Sequence, residues 1–541
     1  SKAEMSGVIH FVEKNKMKVI LSSKDHPDWI DKGMCGVDLG FEERSYDEMA
    51  KAHNKVAQAE KDRIAELRDI LLGFNTEEKH PLASIPNIKL NASQNHALNH
   101  LNSNHLVSII HGPPGTGKTT TIVEAVRELS KRMNNILLCA PSNTAVDLLT
   151  ERLAAAGIHV LRIGNISRVS ETLLYHTLEA KLGTHPESKT LKKIRKDAAE
   201  ARRKAKKYKR NFDRDAYLER KDLFKEAAEL ETWAHQLEQR LIDQIISSSQ
   251  VICATLVGAS DRVLENIKFP MCIIDEAAQA LMPSCWIPIS RSAKVALVGD
   301  PQQLPPTIKS DQARKHRFER TLLEYALQYN HTASLLNIQY RMHEQIMHFS
   351  NERFYNGALE ADASVKEVRL KIAANQPLQF IDTAGCGFEE QVNPSSKSRF
   401  NPDEYLIIRE HMLQLIEACK KEGDQADIAI ISPYKEQVSY IEDQLKDDEQ
   451  LRDHQIKVST IDGYQGQEKD VVYISLVRCN EKGDIGFLKD YRRMNVAMTR
   501  AKRMLVLVGD SGTISSDKFY AAFLNYIDQV QAYRSAWEFM Q

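Results

Sequence analysis

The sequence predicts an α/β protein with two copies of one parallel-sheet topology. The stretch from Leu106 to Gly164 alternates strand, loop, helix, strand and helix, which is the pattern of a parallel sheet. The tetrapeptide Leu-Val-Gly-Asp ends a strand-like run at Asp300 and again at Asp510, which fits two copies of one topology. Further strand-like apolar runs lie at 251–254, 271–274, 295–298, 428–432, 471–476 and 504–508.

Length and composition exclude several classes of protein. At roughly 150 residues per domain, the 541 residues correspond to about three or four domains. Hydrophobic residues make up 42% and charged residues 27%, which is ordinary for a soluble globular protein and too apolar for a disordered one. Lysine and arginine total 73 against 74 acidic residues, so a nucleic-acid partner would have to bind a local basic surface.

We expect an intracellular monomer without membrane contact. No apolar run approaches the ~20 residues that span a bilayer, and no secretory signal opens the chain, which starts at Ser1. The expected location is the cytoplasm, or the nucleus as well in a eukaryote. The eight cysteines lie far apart without a Cys-x-x-Cys pair, so neither structural zinc nor a disulfide framework is expected. Several lie in strand-like runs, which predicts buried thiols among Cys35, Cys139, Cys253, Cys272, Cys285, Cys386, Cys419 and Cys479.

The N-terminal region combines a β module with a helical stretch. Residues 7–21 alternate like a hairpin around a polar turn. From 46 to 72 the pattern is helical, and Gly73 is a stop signal. The apolar stripe of this helical pattern consists of Met49, Val56, Ile64, Leu67 and Leu71.

The stretch 165–249 predicts a helical insert, because it carries no strand signal and few turn residues after Pro186. Within 191–210, eleven basic residues stand against two acids, a net charge of 11 − 2 = +9. Such a run is most often a solvated helix face. The alternative is a contact with a phosphate backbone. Residues 206–210 also fit a nuclear signal, to which a helical context gives little weight.

Residues 112–119 match the phosphate-binding loop motif G-x-x-x-x-G-K-S/T. The loop follows the strand-like run 106–110 and precedes a helical segment, which is the context that supports this motif. Its glycines let backbone N–H groups surround phosphates at a helix N-terminus. Lys118 is predicted to reach the β and γ phosphates, and the Thr119 hydroxyl to bind Mg²⁺. The predicted nucleotide-binding residues here are Gly112, Pro113, Pro114, Gly115, Thr116, Gly117, Lys118, Thr119 and Thr120.

A carboxylate pair follows the apolar run 271–274. Asp275 is predicted to hold Mg²⁺, and Glu276 to polarise the attacking water. A helix cap would be the better interpretation of such a pair alone. The phosphate loop in the same chain favours the catalytic one.

Longer motifs follow one another in the order of a known family. Together they resemble the superfamily 1B helicases of the up-frameshift (nonsense-mediated-decay) type, and most closely the immunoglobulin-mu-binding-protein helicases. The resemblance covers nearly the whole chain. The motifs are Asp275-Glu-Ala-Ala-Gln-Ala280, Gly299-Asp-Pro-Gln-Gln-Leu-Pro305, Gln339-Tyr-Arg-Met-His343, Val458-Ser-Thr-Ile-Asp-Gly-Tyr-Gln-Gly-Gln-Glu-Lys-Asp470 and Asn495-Val-Ala-Met-Thr-Arg-Ala-Lys502.

The resemblance implies two RecA-like P-loop domains with ATP in the cleft between them, plus a small β-barrel and a helical insert on the first. The barrel segment is short, so we expect it to be incomplete at its start. The implied domains are a barrel-like module at 1–45, stalk helices at 46–80, a first RecA-like domain at 81–164 and 250–335, the insert at 165–249, and a second RecA-like domain at 336–541.

The resemblance also assigns nucleotide contacts. Gln94 is expected to read the adenine edge, Tyr340 to stack on its face and Glu468 to contact the ribose. Gln303 is the expected γ-phosphate sensor. Arg341 and Arg500 are the expected arginine fingers, which stabilise charge on the transferring phosphoryl group.

Small polar side chains at loop starts are the expected contacts to nucleic acid. By resemblance they are Pro141, Ser142, Asn143, Thr255 and Thr460, with Asn401 as a weaker candidate. Such side chains suit phosphate and sugar contacts, although each alone is more often a helix cap.

The function expected is an ATP- and Mg²⁺-dependent helicase or translocase that moves 5′→3′ on single-stranded RNA or DNA. One rival is an ATP-gated clamp that remodels complexes with little unwinding. Another is a P-loop signalling or metabolic ATPase without a nucleic-acid partner, against which Gln303, Arg341 and the Thr460 segment argue.

Overall fold

The computed structural model describes residues 5, 7–13, 16–21, 29–30, 36–37, 43–78, 80–165, 169–207, 214–308, 310–329, 333–373, 376–464 and 466–540. The chain separates into two compact units that interleave along the sequence. The first unit is Ser1–Arg68, Val126–Asp275 and Met282–Val295, and the second unit is Asp69–Ala125, Glu276–Leu281 and Ala296–Gln541. The predicted domain boundaries stay a prediction.

The strands alternate with helices along most of the chain. They are β1 (Gly7–Glu13), β2 (Lys16–Leu21), β3 (Val107–His111), β4 (Ile136–Ala140), β5 (Val160–Arg162), β6 (Val251–Thr255), β7 (Cys272–Ile274), β8 (Val295–Gly299), β9 (Ser334–Leu335), β10 (Ile338–Gln339), β11 (Glu360–Ala361), β12 (Leu378–Asp382), β13 (Gln391–Val392), β14 (Arg399–Phe400), β15 (Ile428–Ser432), β16 (Lys457–Thr460), β17 (Lys469–Ser475), β18 (Ala501–Gly509) and β19 (Tyr533–Ser535).

The α-helices range from one turn to 35 residues. They are α1 (Glu43–Gln58), α2 (Arg63–Leu71), α3 (Ala92–Leu101), α4 (Lys118–Leu129), α5 (Asn143–Ala155), α6 (Leu178–Thr184), α7 (Ser188–Lys206), α8 (Arg214–Ser248), α9 (Met282–Ile289), α10 (Asp311–Lys315), α11 (Leu322–Tyr329), α12 (Glu344–Phe354), α13 (Pro402–Lys421), α14 (Lys435–Asp447), α15 (Tyr491–Met498), α16 (Ser511–Ile514) and α17 (Lys518–Gln529).

The first unit contains four parallel strands in the order β5, β6, β4, β7. Leu138 of β4 pairs with Cys253 on one side and Ile273 on the other. Every residue of β4 and β7 is buried, as expected for strands covered on both faces. Because parallel strands end at one edge of a sheet, the residues that follow β4, β6 and β7 share that edge.

The predicted stalk region forms two helices, α1 and α2, because the polar segment 60–62 interrupts the apolar pattern. Asp62 starts the second helix, since its Oδ1 accepts from the backbone N–H of Ala65 at 2.9 Å. The predicted apolar stripe is nevertheless buried throughout, and Gly73 has the positive φ of a helix stop, at 76°.

The predicted hairpin at 7–21 is confirmed. Strands β1 and β2 pair antiparallel, with Gly7 opposite Leu21 and Glu13 opposite Lys16. The predicted barrel-like module extends over positions that lie largely outside the described residues. The barrel therefore stays a prediction.

The helical prediction for the insert is confirmed for α6, α7 and α8. Helices α7 and α8 pack through a small apolar cluster. The cluster consists of Leu191 and Ile194 of α7 with Ala234, Leu237 and Leu241 of α8.

The second unit contains a six-stranded parallel sheet in the order β16, β15, β17, β18, β12, β19. Leu505 and Leu507 of β18 pack into one apolar cluster, while Val506 and Val508 pack into another. This alternation shows that both faces of β18 are covered. The same unit holds β3, whose following residue Gly112 donates its backbone N–H to Gly299 at 3.0 Å. The α/β prediction with parallel sheets is thus confirmed.

The cysteines in the described part of the chain are free. Cys139, Cys253 and Cys272 are buried within strands, as predicted. Cys35 lies outside the described residues. Of the helices that the structure describes, none combines the length and apolar character needed to cross a membrane.

Candidate active site

The loop between β3 and α4 is shaped by three glycines. Gly115 and Gly117 have φ values of 76° and 77°, which side chains with a Cβ rarely adopt. A Cβ at Gly112 would lie 2.2 Å from Cγ of Lys118, and a Cβ at Gly117 would lie 2.6 Å from Nε2 of Gln94. The loop therefore leads into the N-terminus of α4 with its backbone uncovered, which fits a chain of phosphates.

Lys118 and Thr119 open helix α4. The Lys118 ammonium group donates to the carbonyl oxygen of Gly112 at 2.5 Å, so it lies over the loop. Within the described residues, the Thr119 hydroxyl has no hydrogen-bond partner and is only partly exposed. A hydroxyl in this position can bind a cation that accompanies the phosphates.

Helix α3 is tied to the phosphate loop by Gln94. Its Nε2 donates to the carbonyl of Thr116 at 3.0 Å, and its Oε1 accepts from the N–H of Asn91 at 3.1 Å. Asn91 caps α3 and donates from Nδ2 to the Tyr340 hydroxyl at 2.8 Å. Gln94 and Tyr340, both predicted to contact the base, are therefore brought together through Asn91. The Tyr340 side chain is 39% exposed, so its ring is available for stacking.

The segment 339–341 lies directly against the phosphate loop. The Tyr340 N–H donates to the carbonyl of Gly115 at 2.8 Å. A Cβ at Gly115 would come within 2.7 Å of Cβ of Arg341. The close approach of Arg341 is thus a second reason why position 115 requires glycine.

Arg341 is held by a carboxylate and a backbone carbonyl. Its Nε donates to Glu468 at 2.5 Å, and a guanidinium NH group donates to the carbonyl of Thr499 at 3.1 Å. Lys502 pairs with the other oxygen of Glu468 at 3.1 Å. Burial raises the pKa of Glu468, but the charges of Arg341 and Lys502 outweigh it and hold the pKa below its ordinary value. Glu468 thus positions Arg341 beside the loop.

Arg500 lies in the turn between α15 and β18 and is 3% exposed. Its guanidinium donates to the carbonyls of Val496 at 2.9 Å and Gln467 at 3.2 Å. Burial, and then the positive charge of Arg341, lower the pKa of Arg500 to about 9, while the carboxylate of Glu276 acts in the opposite direction. Arg500 remains charged at neutral pH and shares one electrostatic environment with Arg341 and Glu276.

A buried carboxylate, Asp300, connects the phosphate-loop strand with the predicted sensor Gln303. His111, the last residue of β3, contacts Asp300 Oδ1 through Nε2 at 3.1 Å. Gln303 donates from Nε2 to Oδ2 at 2.8 Å. Burial opposes ionisation of Asp300, but its bond to His111 and the charges of His111 and Lys118 hold its pKa below the ordinary value.

The same carboxylate is bonded to the C-terminal part of the second unit. The Tyr355 hydroxyl donates to Asp300 Oδ2 at 2.8 Å and accepts from Asn495 Nδ2 at 3.0 Å. Asn495 also donates to the carbonyl of Gln302 at 2.9 Å. Asn495 belongs to α15, the helix that ends just before Arg500. We call His111, Asp300, Gln303, Tyr355 and Asn495 the Asp300 network.

The predicted carboxylate pair follows β7, as expected. Asp275 is buried and belongs to the first unit, so its part in binding Mg²⁺ stays a prediction. Glu276 has a φ of 52°, a left-handed conformation that costs a non-glycine residue about 1–3 kcal/mol. Its Oε2 accepts from Gln279 at 2.7 Å. Strain at a residue with a predicted catalytic role is typical of active sites.

In the first unit, the predicted nucleic-acid residues lie at the carboxyl edge of the sheet. Pro141 follows β4, and Ser142 caps α5 by accepting from the Ala145 N–H at 3.1 Å. Asn143 Oδ1 accepts from the buried Arg162 at 2.9 Å. Thr255 ends β6, and its hydroxyl accepts from the Gly258 N–H at 2.9 Å. These contacts stabilise the loops, and binding of nucleic acid by these residues stays a prediction.

In the second unit, Thr460 ends β16, and its hydroxyl accepts from the Gly463 N–H at 3.3 Å. Asn401 is fully buried and caps α13 by accepting from the N–H groups of Asp403 and Glu404. A helix cap is the alternative role that the sequence analysis gives for each predicted nucleic-acid contact. A nucleic-acid contact of Asn401 would require its exposure and stays a prediction.

Several residues of the site were not singled out from the sequence. Asp300 and Asn495 stand inside the motifs, and Asn91 lies three residues before Gln94, but none of them carries a pattern that would assign it a partner. His111 and Tyr355 lie in ordinary strand and helix contexts. Their hydrogen bonds join positions far apart along the chain, which local periodicity cannot indicate.

Comparison with known proteins identifies the family of this chain. Two family models, both described as an AAA domain, match residues 89–311 and 318–512. The chain is 37% identical over 499 residues to DNA-binding protein SMUBP-2 of Rattus norvegicus, covering 88% of this chain and 48% of that protein. It is 32% identical over 461 residues to the regulator of nonsense transcripts 1 homolog of Drosophila melanogaster, covering 82% and 36%.

A third relative matches over most of its own length. It is an uncharacterized ATP-dependent helicase of Methanocaldococcus jannaschii, 31% identical over 573 residues, with 96% of this chain and 82% of that protein covered. The chain spans about half the length of the SMUBP-2 relatives, 48% of the rat protein. The chain belongs to the superfamily 1 helicases of the up-frameshift type.

Proposed function

We propose that this chain is an ATP-dependent helicase or translocase that moves 5′→3′ along single-stranded RNA or DNA. The observation that carries the proposal is the contact of Tyr340 and Arg341 with the phosphate loop, through the Tyr340 N–H bond to Gly115. A cationic side chain held beside a phosphate loop can act in phosphoryl transfer. The named relatives support the same activity.

The phosphate loop would hold the phosphates of ATP, with Lys118 reaching the terminal groups. The predicted Mg²⁺ ligands are Thr119 and Asp275, and the ion would neutralise charge on the phosphates. Glu276 would act as the general base toward water. Gln94 and Tyr340, which are brought together through Asn91, would contact the base, and the exposed Tyr340 ring would stack on it.

Arg341 and Arg500 would stabilise charge on the transferring phosphoryl group. A correctly placed guanidinium can contribute about 10³–10⁵ in rate. Glu468 keeps Arg341 in position, and the backbone carbonyls of Val496 and Gln467 keep Arg500 in position. Preorganised charges need little rearrangement during the reaction, which is why this arrangement suits catalysis.

Sequence-independent contacts would hold the nucleic acid. Ser142, Asn143, Thr255 and Thr460 are small polar residues at strand ends, of the kind that contact phosphates and sugars. A translocating protein requires such contacts, because it must pass any sequence. The alternative, an ATP-gated clamp with little unwinding, would use the same residues.

Strand displacement tests the proposal. Labelled duplexes with a 5′ tail or a 3′ tail, in RNA and in DNA form, would be incubated with the full chain, ATP and Mg²⁺. We expect unwinding of the 5′-tailed duplexes only. Unwinding from 3′ tails would overturn the polarity, and ATP turnover stimulated by single strands without unwinding would favour the clamp.

The Glu276→Gln variant is the matched inactive control. The amide keeps the size of the side chain but cannot accept a proton, so we expect turnover to fall about 10²–10⁴-fold. Binding of ATP and single strands should remain, because the variant leaves the phosphate loop intact. Near-normal turnover in this variant would contradict the assignment of Glu276.

A further inference from the structure

One face of helix α7 in the insert is buried by packing. Its buried residues lie against α8, and the centre of this face is Ala198. Helices with a 3.6-residue repeat place side chains at i, i+3, i+4 and i+7 on one side. The buried positions of α7 are Ser188, Leu191, Ile194, Ala198, Ala201 and Ala205.

Two arginines flank the packed face and are neutralised by α8. Arg195 pairs with Glu238 at 2.6 Å, and Arg202 pairs with Glu231 at 2.8 Å. These arginines are seven residues apart, as are their partners, so the two ion pairs repeat with the helix. They account for part of the strong positive charge of this segment.

The opposite face of α7 carries basic residues that make no ion pair in the described part of the chain. Counted from the first of them, they recur at i, i+3, i+4, i+7 and i+14, so they share one side of the helix. All are exposed. The one acid on this side, Glu200, is paired with Lys204 at 3.1 Å. The face consists of Lys189, Lys192, Lys193, Lys196 and Arg203, and we call it the lysine face.

We infer that the lysine face binds the phosphate backbone of a nucleic acid. Unpaired cations along a rigid helix would displace condensed counterions from a polyanion, which gives affinity without sequence preference. From Lys189 to Arg203 the face is about 21 Å long at 1.5 Å per residue. That length matches roughly six successive phosphates of one strand at 3.4 Å each.

The charge pattern favours nucleic acid over the other anionic partners. The chain as a whole has a net charge of −1, so the positive potential is local to this face. The face presents no large apolar side chain, whereas helices that lie on membranes pair a basic face with an apolar one. The inference rests on the proposed function in one respect, which is that the polymer bound by this chain is a nucleic acid.

Salt-dependent binding tests the inference without ATP. The probes are a fluorescent single-stranded oligonucleotide and the duplex of the same sequence, titrated with the full chain at several salt concentrations. The test variant is Lys192→Gln with Lys196→Gln. We expect its slope of log affinity against log salt to be shallower by about 1.4–1.8, the value for two lost phosphate contacts.

The matched control is Arg195→Gln with Arg202→Gln, which removes the same two charges from the same helix. Because those arginines are engaged by carboxylates of α8, we expect the control to keep the wild-type slope. Replacing Lys192 and Lys196 with arginine should restore binding, because the charge is kept. Equal slopes for the test and control variants would overturn the inference. They would indicate that binding depends only on the total charge of the helix and not on contacts of the lysine face.

Further measurements distinguish the remaining outcomes. The probe with the larger change in slope, single strand or duplex, identifies the form that lies on the face. If the lysine variant changes binding of polyglutamate but not of either oligonucleotide, the partner is an acidic protein and the inference is wrong. If the wild-type chain binds neither oligonucleotide, both the inference and the proposed function are wrong. Unchanged basal ATP turnover in the lysine variant would show that its ATP site is intact.

Discussion

Glu404 is a fully buried carboxyl group at the first turn of α13. Its Oε2 accepts from the Ser475 hydroxyl at 2.6 Å and from the Val477 N–H at 2.9 Å. Val477 has a φ of 70°, a left-handed conformation that a β-branched residue rarely adopts. The carboxyl group thus holds a strained turn beyond β17. Burial raises the pKa of Glu404 to about 8, against the two hydrogen bonds, which lower it.

This shift predicts a dependence of stability on pH. The unfolded chain releases the Glu404 proton near 4.5, while the folded chain keeps it to about 8. The stabilising contribution is therefore complete below 4.5 and is lost as the pH rises toward 8. We expect Glu404→Gln, which stays neutral, to show a smaller fall in Tm than the wild type between pH 6 and about 8.5. Parallel Tm curves for the two proteins would contradict the raised pKa.

At the residue scale, the sequence predicts site residues where chemistry and spacing coincide, and their roles stay predictions. Lys118 and Thr119 stand at fixed offsets from glycines, and Glu276 follows a buried strand. Asn91 and Tyr355 could not be found in this way, because their roles depend on hydrogen bonds to Tyr340 and Asp300. Such partners are set by tertiary structure, which a local pattern does not contain.

The elements that carry the Asp300 network are β3, α12 and α15. Tyr355 follows the end of α12 and is the only hydroxyl within the network. It touches Asp300 and Asn495 rather than the phosphate loop, so it acts as a positioning residue for Gln303 and the turn before Arg500. The network thereby links the strand that leads into the phosphate loop with the helix that ends just before Arg500, the predicted arginine finger.

Removal of the hydroxyl in Tyr355→Phe should therefore lower kcat about tenfold, the effect of losing about 1.4 kcal/mol from a hydrogen bond to a charged group. KM for ATP should change little, because the loop itself is intact. The measurement is steady-state ATP turnover with saturating single strands. The control is Tyr520→Phe, which loses a bond to the Leu488 carbonyl at 2.9 Å and should lower Tm while sparing kcat. Equal losses of kcat in both variants would mean that Tyr355 acts only through stability.

At the element scale the sequence predicted the long, strongly patterned segments best. Strands β15, β17 and β18 agree with the predicted runs, since continuous apolar runs are typical of covered parallel strands. Strand β16 was missed, because it is short, its residues are only partly buried and it lies at the sheet edge.

On the scale of the whole molecule, the site is assembled from distant parts of one chain. Lys118 and Arg500 are 382 residues apart, from 500 − 118, yet both belong to the second unit. Arg500 is fixed by backbone carbonyls rather than by a carboxylate, so its charge is not neutralised by a direct ion pair among the described residues. That arrangement leaves its charge available to a phosphoryl group.

We expect Arg500→Ala to lower kcat at least about 10³-fold, because the positive charge is lost while the loop that binds the phosphates is kept. Turnover and the affinity for a non-hydrolysable ATP analogue would be measured side by side. A change confined to KM would instead assign Arg500 to nucleotide docking. Arg500→Lys, which keeps a charge without the planar fork, should recover only part of the rate.

The contact between the phosphate loop and Tyr340 also has a consequence during protein synthesis. At about 5–20 residues per second, Arg500 leaves the ribosome roughly 20–80 s after Lys118. During that interval the nascent chain contains the predicted phosphate loop but lacks Tyr340, Arg341 and Arg500 in turn. We therefore expect a ribosome-bound fragment that ends before Tyr340 to hydrolyse no ATP, because the residues proposed to complete the site have not yet been synthesised.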